Sequence, residues 1–300
     1  MKYGIAVHGG AGAPEELKDG CEGAARKGLS LLGKGGSALD AVCESVRLLE
    51  DDGRFNAGTG AILRLDGKTR EMDAAIMDSS GAMGIVIAIR EIRNPVLAAR
   101  AVSATPHVAL AGVGATSFAR SRGLPSLDHL PAHVKNRYER MKRIIASKGL
   151  EREYPHWAGQ DVRLLWNFDA TTAEEAIFTD TVGAVAMDRS GLFAVASSTG
   201  GASPMLLGRV GDTAMAGCGF YAGPLGAIAV TGLGEEIIRR ITAKTVYDRL
   251  SRGETADEAC AKGVAMFPDH VAVGVIVISG SSLATAANRP FPAFTLSADV

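Results

Sequence analysis

A threonine at the start of a predicted strand, Thr181, is the residue whose surroundings most suggest nucleophilic chemistry. A threonine hydroxyl is a weak nucleophile unless a base lies beside it, and a threonine at a chain terminus carries that base as its own α-amine. Because the pKa of an α-amine is about 7.7–8.0, it suits general-base catalysis at neutral pH. Such chemistry requires a cut between Asp180 and Thr181, directly after a surface segment that can tolerate cleavage. Taken alone, an Asp-Thr pair before a strand more often marks an ordinary strand start.

Other motifs in the sequence lack a residue that their chemistry needs. The run at 28–34 has the glycine spacing of a phosphate loop, but Gly35 follows where a hydroxyl residue must bind magnesium. His8-Gly9-Gly10 is similar to the oxyanion loop of lipases, yet the sequence contains no G-x-S-x-G motif. The six histidines show no metal-ligand spacing and the four cysteines form no CxxC pair. We expect Cys21 and Cys43 to be small buried residues and not part of a disulfide framework.

The elements that must position Thr181 are predicted from hydrophobic periodicity and from turn and capping residues. Before it we expect a strand at 2–7, a helix from Pro14 to Leu32 and a second helix after the capping box Ser37-x-x-Asp40. A glycine loop at 55–60 should follow, then a hairpin of 61–65 and 68–77 around Asp66-Gly67, a strand at 83–90 and a helix from Asn94-Pro95 to about Val102. From about 121 to 180 the alternation ends, and the basic run at 135–143 indicates an exposed helix in a surface excursion.

After the excursion the strand pattern begins again at Thr181. We expect a hairpin of 181–187 and 192–198, a strand at 227–231, a helix at 235–250, a second helix from the capping box Thr255-x-x-Glu258 to Met266, and closing strands at 271–278 and 283–287. Because the strands occur in hairpins and do not alternate with single helices, the order favours antiparallel sheets with helices packed outside them.

Composition bounds the function class. The chain has 300 residues, 32 Lys+Arg against 33 Asp+Glu, and 47% hydrophobic residues, which is typical of a globular protein with a sizeable core. A net charge of −1 argues against nucleic acid or an anionic membrane as the main partner. No apolar run is long enough to span a bilayer and the first residues lack the apolar core of a signal peptide, so we expect a cytoplasmic protein.

Short motifs over most of the chain carry a family resemblance. They are His8-Gly9-Gly10-Ala11-Gly12; Leu49-Glu50-Asp51-Asp52 with Phe55-Asn56-Ala57-Gly58; Met72-Asp73-Ala74-Ala75-Ile76-Met77-Asp78; Asn94-Pro95; Pro106-His107; Thr181-Val182-Gly183-Ala184-Val185-Ala186; Ser198-Thr199-Gly200-Gly201; Gly208-Arg209-Val210-Gly211-Asp212; and Thr231-Gly232-x-Gly234-Glu235. In this order and spacing the sequence resembles the plant-type (type 2) asparaginases and isoaspartyl aminopeptidases, which are N-terminal-nucleophile hydrolases. The match lapses at about 121–179 and after about 268.

The resemblance implies an α/β fold of the α+β kind, a four-layer αββα sandwich that forms a single domain over 1–300. It also implies autoproteolysis between Asp180 and Thr181, which would divide the chain into an α chain (1–180) and a β chain (181–300). In that arrangement 121–180 is a variable surface linker that ends at the cleavage site.

The resemblance further implies a role for each matching site residue. Thr181 is the nucleophile, Thr199 orients its hydroxyl, and Asn56 faces it from the α chain. Thr231 and the Gly232 N–H form the oxyanion hole, and a planar guanidinium at Arg209 binds the substrate α-carboxylate. Asp212 accepts the α-ammonium, and Gly232 and Gly234 let the backbone approach the substrate. A structural sodium ion would be bound by the backbone carbonyls of Leu49, Glu50, Asp52, Phe55, Ala57 and Thr59.

The implied activity is hydrolysis of the side-chain amide of L-asparagine to L-aspartate and ammonia. Hydrolysis of β-aspartyl (isoaspartyl) dipeptides is an alternative, because both substrates present the same aspartyl half and differ only in the leaving amine. Glycosylasparaginase activity and a non-catalytic amino-acid-binding module are further alternatives. The resemblance implies no cofactor for catalysis, small-molecule substrates as partners, and a homodimer of α/β units.

Overall fold

The structure, a computed structural model, describes residues 2–146, 157, 158, 160, 165, 167, 181–280 and 282–299. Its helices are α1 (Lys18–Gly33), α2 (Ala38–Asp52), α3 (Pro95–Val102), α4 (Gly112–Ser121), α5 (Ala132–Ala146), α6 (Gly234–Arg240), α7 (Thr242–Leu250) and α8 (Ala256–Val264). Its strands are β1 (Tyr3–His8), β2 (Met72–Asp78), β3 (Met83–Ile89), β4 (Ala109–Ala111), β5 (Val182–Met187), β6 (Phe193–Thr199), β7 (Phe220–Gly223), β8 (Gly226–Gly232), β9 (Val273–Ser279), β10 (Ser282–Ala287) and β11 (Ala293–Ala298).

The strands form two sheets. The first follows the order β11-β1-β5-β6-β2-β3-β4 and the second the order β10-β9-β8-β7. In the first sheet β3 and β4 run parallel, whereas β1 runs antiparallel to both β5 and β11. β5 and β6 form the hairpin that the sequence predicts, with Val182 opposite Ser198. This pairing puts the start of β5 beside the end of β6.

Alternating residues of each strand divide the core into three apolar layers. On β1, Ile5 and Val7 pack against the helices on the outer face of the first sheet, while Ala6 points to the second sheet. On β8, Ile228 packs against the helices outside the second sheet, while Ala229 lies between the sheets. The layers are therefore helix, sheet, sheet and helix, and the predicted αββα sandwich is confirmed.

Caps define several helix ends. Ser37 caps α2, where its hydroxyl accepts a hydrogen bond from the Asp40 N–H at 3.1 Å. The capping box predicted at Thr255 and Glu258 is present in full at the start of α8. The four cysteines are buried free thiols, as expected for two of them. Within the described ranges, none of the helices has the length and apolar content that crossing a bilayer demands.

The hairpin predicted at 61–77 is wrong. The turn at Asp66-Gly67 does form, with Gly67 at a φ of 72°. The flanking residues are irregular, however, and the strand begins only at Met72, where it pairs with β3 and β6. The Arg64 N–H still donates to the Thr69 carbonyl across the turn at 2.8 Å, but its side chain hydrogen-bonds the distant Gly200 carbonyl, a tertiary contact that the local sequence pattern does not encode.

Other boundaries differ from the prediction. α1 begins at Lys18, after a short 3-10 turn that follows Pro14. The helix expected at 235–250 is two helices, because Ile241 adopts a left-handed conformation with a φ of 48°. β7 and β11 were not predicted, and β11 extends the first sheet beyond β1.

The predicted exposed helix is present as α5, but it is half-buried. Val134 is fully buried, and the Tyr138 hydroxyl donates a 3.4 Å hydrogen bond to the Leu65 carbonyl. Helix α5 therefore packs on the irregular segment before β2. Asp180 and most of the predicted linker after α5 lie outside the described residues, so the cleavage site and the two-chain division stay predictions.

Candidate functional site

A small pocket opens where the first sheet meets the second, at the end where β5 begins and β6 ends. Antiparallel pairing brings Thr181, which directly precedes β5, close to Thr199, the last residue of β6. The segment between β6 and β7 and the start of α6 supply the other walls. The described residues that line the pocket are Thr181, Thr199, Gly201, Ala202, Arg209, Gly211, Asp212, Thr213, Gly232 and Gly234.

Thr181 is almost buried, with an exposed fraction of 7%. Its Oγ1 lies 3.4 Å from Oγ1 of Thr213, a pocket residue that the sequence analysis missed. The nearby His8 is fully buried, and burial lowers the pKa of its imidazole to about 3. An imidazole with this pKa is a poor base at neutral pH. His8 is therefore a weak candidate for the base that activates Thr181.

Thr199 and Asn56 hold the turn that follows β6. The Thr199 hydroxyl accepts a 3.0 Å hydrogen bond from the Gly201 N–H. The Asn56 side-chain amide donates to the Gly201 carbonyl at 2.7 Å and accepts from the Ile62 N–H at 3.1 Å. The Asn56 backbone carbonyl accepts from the Gly200 N–H. Asn56 is fully buried beneath the turn and is not among the pocket-lining residues. Its contacts thus fix the backbone beside Thr199.

Arg209 and Asp212 bring opposite charges to the pocket. Arg209 donates through Nε and Nη2 to both carboxylate oxygens of Glu235, at 2.9 and 2.8 Å. Burial lowers the pKa of Arg209, but the hydrogen bonds to Glu235 and the negative charges of Glu235, Asp212 and Asp73 together leave its pKa above the ordinary value. The guanidinium plane that the sequence analysis assigned to substrate is therefore partly engaged by Glu235, which also orients it.

The Asp212 carboxyl is the most perturbed acid in the pocket. Burial raises its pKa to about 7, although the charge of Arg209 acts in the opposite direction. Its Oδ2 atom is buried and has no hydrogen-bond partner among the described residues. An acceptor that lacks a donor at the wall of a pocket suits a cationic ligand group.

Gly234 lies between these two charges. A Cβ atom at this position would lie 2.8 Å from both Arg209 Nη2 and Asp212 Oδ1. Any side chain here would displace one of the two charged groups. The sequence therefore requires glycine for the close approach of the α6 N-terminus to the pocket.

Thr231 and Gly232 enter from the second sheet, at the end of β8. Gly232 has a φ of 140°, and a Cβ atom there would lie 2.1 Å from the Ala272 carbonyl oxygen. Thr231 is fully buried, and its hydroxyl has no hydrogen-bond partner within the described part of the chain. This arrangement leaves a backbone N–H and a hydroxyl near the pocket, which are the donors that an oxyanion needs.

The predicted cation loop lies beside the turn that Asn56 holds. Leu49, Glu50 and Asp52 occupy the last turn of α2, where backbone carbonyls lack intrahelical N–H partners, and the helix ends at Gly53 with a φ of 76°. These carbonyls suit a hard cation because they lie at the negative end of the helix and because hard cations prefer oxygen ligands. No cluster of three histidine, cysteine or acidic side chains with metal-binding geometry occurs in 2–146, 181–280 or 282–299.

The other three predicted carbonyls already accept hydrogen bonds. Phe55 accepts from the Ala57 N–H at 2.9 Å, Ala57 from the Gly60 N–H at 3.1 Å, and Thr59 from the Arg70 side chain at 3.3 Å. Each carbonyl keeps a second lone pair that could bind a cation. The loop thus fits a sodium ion by its donor atoms.

Six residues predicted from the resemblance line the one pocket: Thr181, Thr199, Arg209, Asp212, Gly232 and Gly234. Thr231 and Asn56 lie behind it. Gly201, Ala202, Gly211 and Thr213 also line the pocket but were not predicted as site residues. Each is adjacent or nearly adjacent in sequence to a predicted residue, which is the signal that could have found them.

A family model described as "Asparaginase" matches residues 1–290. The chain is 38% identical over 288 residues to the Danio rerio protein named isoaspartyl peptidase/L-asparaginase, covering 91% of this chain and 85% of the relative. It is 38% identical over 288 residues to the Pyrococcus furiosus plant-type L-asparaginase, covering 92% of this chain and 90% of the relative. The Homo sapiens isoaspartyl peptidase/L-asparaginase is 35% identical over 286 residues, covering 92% and 86%.

The family match covers every described residue that lines the pocket. The family predicted from the motifs is confirmed. This chain belongs to the asparaginase family.

Proposed function

We propose that this protein is an amidohydrolase that converts L-asparagine to L-aspartate and ammonia, with Thr181 as its nucleophile. The observation that carries the proposal is a single pocket that holds the Thr181 hydroxyl together with the oppositely charged Arg209 and Asp212. An amino acid carries one anionic and one cationic group on its Cα atom. The two charges therefore suit that end of the substrate and direct its side-chain amide to Thr181.

β-Aspartyl dipeptides are the second candidate substrates. Curated relatives at 35–40% identity carry the joint name isoaspartyl peptidase/L-asparaginase. Both substrates present an aspartyl half with free α-ammonium and α-carboxylate groups, so Arg209 and Asp212 suit them equally. Only the leaving group differs, since it is ammonia in one case and the amine of an amino acid in the other.

In this proposal the charged residues bind before chemistry begins. The Asp212 carboxylate accepts hydrogen bonds from the α-ammonium, which provides the partner that its buried Oδ2 lacks. Arg209 donates to the α-carboxylate through Nη1, which is not hydrogen-bonded to Glu235. Glu235 meanwhile holds the guanidinium in one orientation. Positioning of this kind fixes the amide carbon near Thr181 Oγ1.

Cleavage before Thr181 supplies the base. The freed α-amine accepts the hydroxyl proton as Oγ1 adds to the amide carbon. The Gly232 N–H and the Thr231 hydroxyl donate to the resulting oxyanion. Ammonia leaves with the proton that the amine returns, and a β-aspartyl ester remains on Thr181. Water then hydrolyses the ester, with the amine again as the base, and releases aspartate.

The cation loop would serve stability and not this chemistry. When bound, a sodium ion at the carbonyls of Leu49, Glu50, Asp52, Phe55, Ala57 and Thr59 would tie the C-terminus of α2 to the loop that carries Asn56. The mechanism above requires no metal or organic cofactor. A cytoplasmic location and a homodimer of α/β units stay predictions of the sequence.

The proposal is tested by measuring ammonia release from L-asparagine and leucine release from β-aspartyl-leucine. We expect the parent protein to hydrolyse at least one of them and Thr181→Ala to hydrolyse neither. Thr285→Ala, an exposed threonine on β10, is the matched control and should behave as the parent does. A parent protein that is cut before Thr181 but acts on neither substrate would overturn the proposal, as would an active Thr181→Ala variant.

A further inference from the structure

Arg64 is a buried arginine outside the pocket whose contacts reach it. Its side chain is 1% exposed, in the irregular segment before β2. Nη1 donates to the Gly200 carbonyl at 2.9 Å and Nη2 to the Glu71 carbonyl at 2.6 Å. A Cβ atom on Gly201 would lie 3.2 Å from Nη2, so the guanidinium packs directly against the turn that follows Thr199.

Glu71 is its buried counterion. The Glu71 side chain is 4% exposed, and its Oε2 lies 3.7 Å from Arg64 Nε. The same oxygen accepts a 2.8 Å hydrogen bond from the Gly208 N–H, directly before Arg209. Its Oε1 accepts from the half-exposed Arg90 at 2.6 Å. One buried ion pair therefore contacts both loops that form this side of the pocket.

A buried ion pair is weak evidence of a role in stability. Removing two charges from water costs several kcal/mol per ion, and well-packed apolar residues often replace a buried pair without loss of stability. Here Arg64 Nε even lacks a hydrogen-bond partner among the described residues. What apolar side chains could not do is hold the Gly200 carbonyl and the Gly208 N–H at fixed positions.

We propose that Arg64 and Glu71 form a clamp that positions the two pocket loops, 199–202 and 208–212, relative to each other. The inference rests on the proposed function and deepens it by naming two positioning residues. Arg64 acts on the turn beside Thr199 and so aligns the nucleophile. Glu71 acts on the residue before Arg209 and so places the guanidinium that binds the substrate carboxylate.

The two arms of the clamp predict different kinetic effects. Loss of the Arg64 arm should mainly lower kcat, because a small displacement at the nucleophile disturbs the transition state more than substrate binding. Loss of the Glu71 arm should mainly raise KM, because Arg209 contacts a part of the substrate that does not change during the reaction. If the pair served stability alone, its loss would change the amount of folded enzyme, and the folded enzyme would keep the parental kcat and KM.

The experiment compares Arg64→Met, Arg64→Lys, Glu71→Gln and the double variant Arg64→Met/Glu71→Leu with the parent, each normalised to the amount of β chain. Arg90→Gln is the matched control, because the Arg90 side chain also donates to Glu71, while its other hydrogen bonds among the described residues are backbone bonds to Thr116, outside both loops. Hydrolysis of L-asparagine and β-aspartyl-leucine and the Tm are measured. We expect about 10- to 100-fold lower kcat for Arg64→Met, a smaller loss for Arg64→Lys, and an about 10-fold higher KM for Glu71→Gln.

The double variant keeps the test decisive if a single variant does not fold, because it removes both charges together. We expect it to fold and to be impaired in both kcat and KM, while Arg90→Gln stays within about twofold of the parent. If the parent is active and the double variant has the same kcat and KM as the parent, the proposed clamp is overturned and the proposed function is not. A parent and an Arg90→Gln control that act on neither substrate would overturn the proposed function, and the clamp with it.

Discussion

Asp212 combines two properties that rarely occur in one carboxyl group. It lies within the charge field of Arg209, yet burial raises its pKa to about 7. In the free protein near neutral pH a large share of this group is therefore protonated. A bound α-ammonium would favour the ionised form, so substrate binding and loss of the Asp212 proton are linked.

This linkage predicts the acid limb of the pH profile. Protonation of Asp212 below about pH 7 should abolish productive binding of the α-ammonium. Protonation of the Thr181 α-amine below about pH 8 should abolish attack by the hydroxyl. We therefore expect log kcat/KM to fall with a slope that steepens from one toward two as the pH decreases from 8 to 5.5. Asp212→Asn should be weaker throughout and keep a slope of one. A parent slope of one over the whole range would contradict the role of Asp212.

Substitutions of Arg209 test substrate selection. Arg209→Lys keeps the charge but loses the planar group that Glu235 orients, so we expect a loss of about 1.5–3 kcal/mol, or roughly 10- to 150-fold in kcat/KM for asparagine. Arg209→Ala should lose more. Cleavage before Thr181 should persist in Arg209→Lys, because that step involves no free α-carboxylate.

Arg239 supplies the control for this series. It is an exposed arginine on α6 that pairs with Glu236, so Arg239→Ala should match the parent. Steady-state kinetics, with a denaturing gel for cleavage, measure both effects. Asparagine hydrolysis by Arg209→Ala at the parental rate would show that Arg209 does not select the substrate.

At the scale of residues, the resemblance predicted the pocket and missed what supports it. Thr181, Thr199, Arg209 and Asp212 stand in short motifs, so their types and spacing can be recognised in one sequence. Arg64 hydrogen-bonds a carbonyl 136 positions away, and no local pattern encodes such a contact. Its burial follows only from the assembled fold.

At the scale of elements, the end of α2 and the loop after it form the most constrained connection near the pocket. A Cβ atom on Gly60 would lie 2.0 Å from the Phe55 carbonyl and 2.3 Å from the Gly53 carbonyl. These two carbonyl oxygens thus lie close to each other near the negative end of a helix. A bound cation would offset the negative partial charges of these oxygens.

We therefore expect sodium to stabilise the fold. At a sodium concentration of about 100 times its Kd the gain is about 2.7 kcal/mol, which corresponds to a Tm higher by about 4 °C for a domain of this length. The measurement compares the Tm in sodium chloride with that in tetramethylammonium chloride of equal ionic strength. Activity should survive EDTA. Equal Tm values in both salts, or an activity that EDTA removes and zinc restores, would contradict a structural sodium site.

Elements with regular periodicity were predicted well, and the failures have physical causes. The helices α2, α3 and α8 and the hairpin of β5 and β6 follow their sequence patterns closely. Ile241 interrupts a continuous helical pattern because it adopts a left-handed conformation that β-branched residues rarely take. β11 was missed since its partner, β1, lies almost the whole chain away.

At the scale of the whole molecule, the position of Thr181 predicts self-processing. We expect the purified 31.1 kDa chain to yield two fragments, the second of which begins at Thr181. Thr181→Ala should remain one chain, because both the nucleophile and the new N-terminal base depend on this residue. Intact mass and N-terminal sequencing measure the outcome. A fully active chain that is not cut would rule out the α-amine as the base.

The strand order gives such a cut an unusual consequence. β1 belongs to the first fragment but lies between β11 and β5, which both belong to the second, and β2 likewise pairs with β6 of the second. The halves are interwoven and cannot come apart without unfolding, so they should copurify in the absence of denaturant. Once fully denatured, the cut protein must refold by a bimolecular encounter. Its recovery should depend on concentration, whereas that of uncut Thr181→Ala should not.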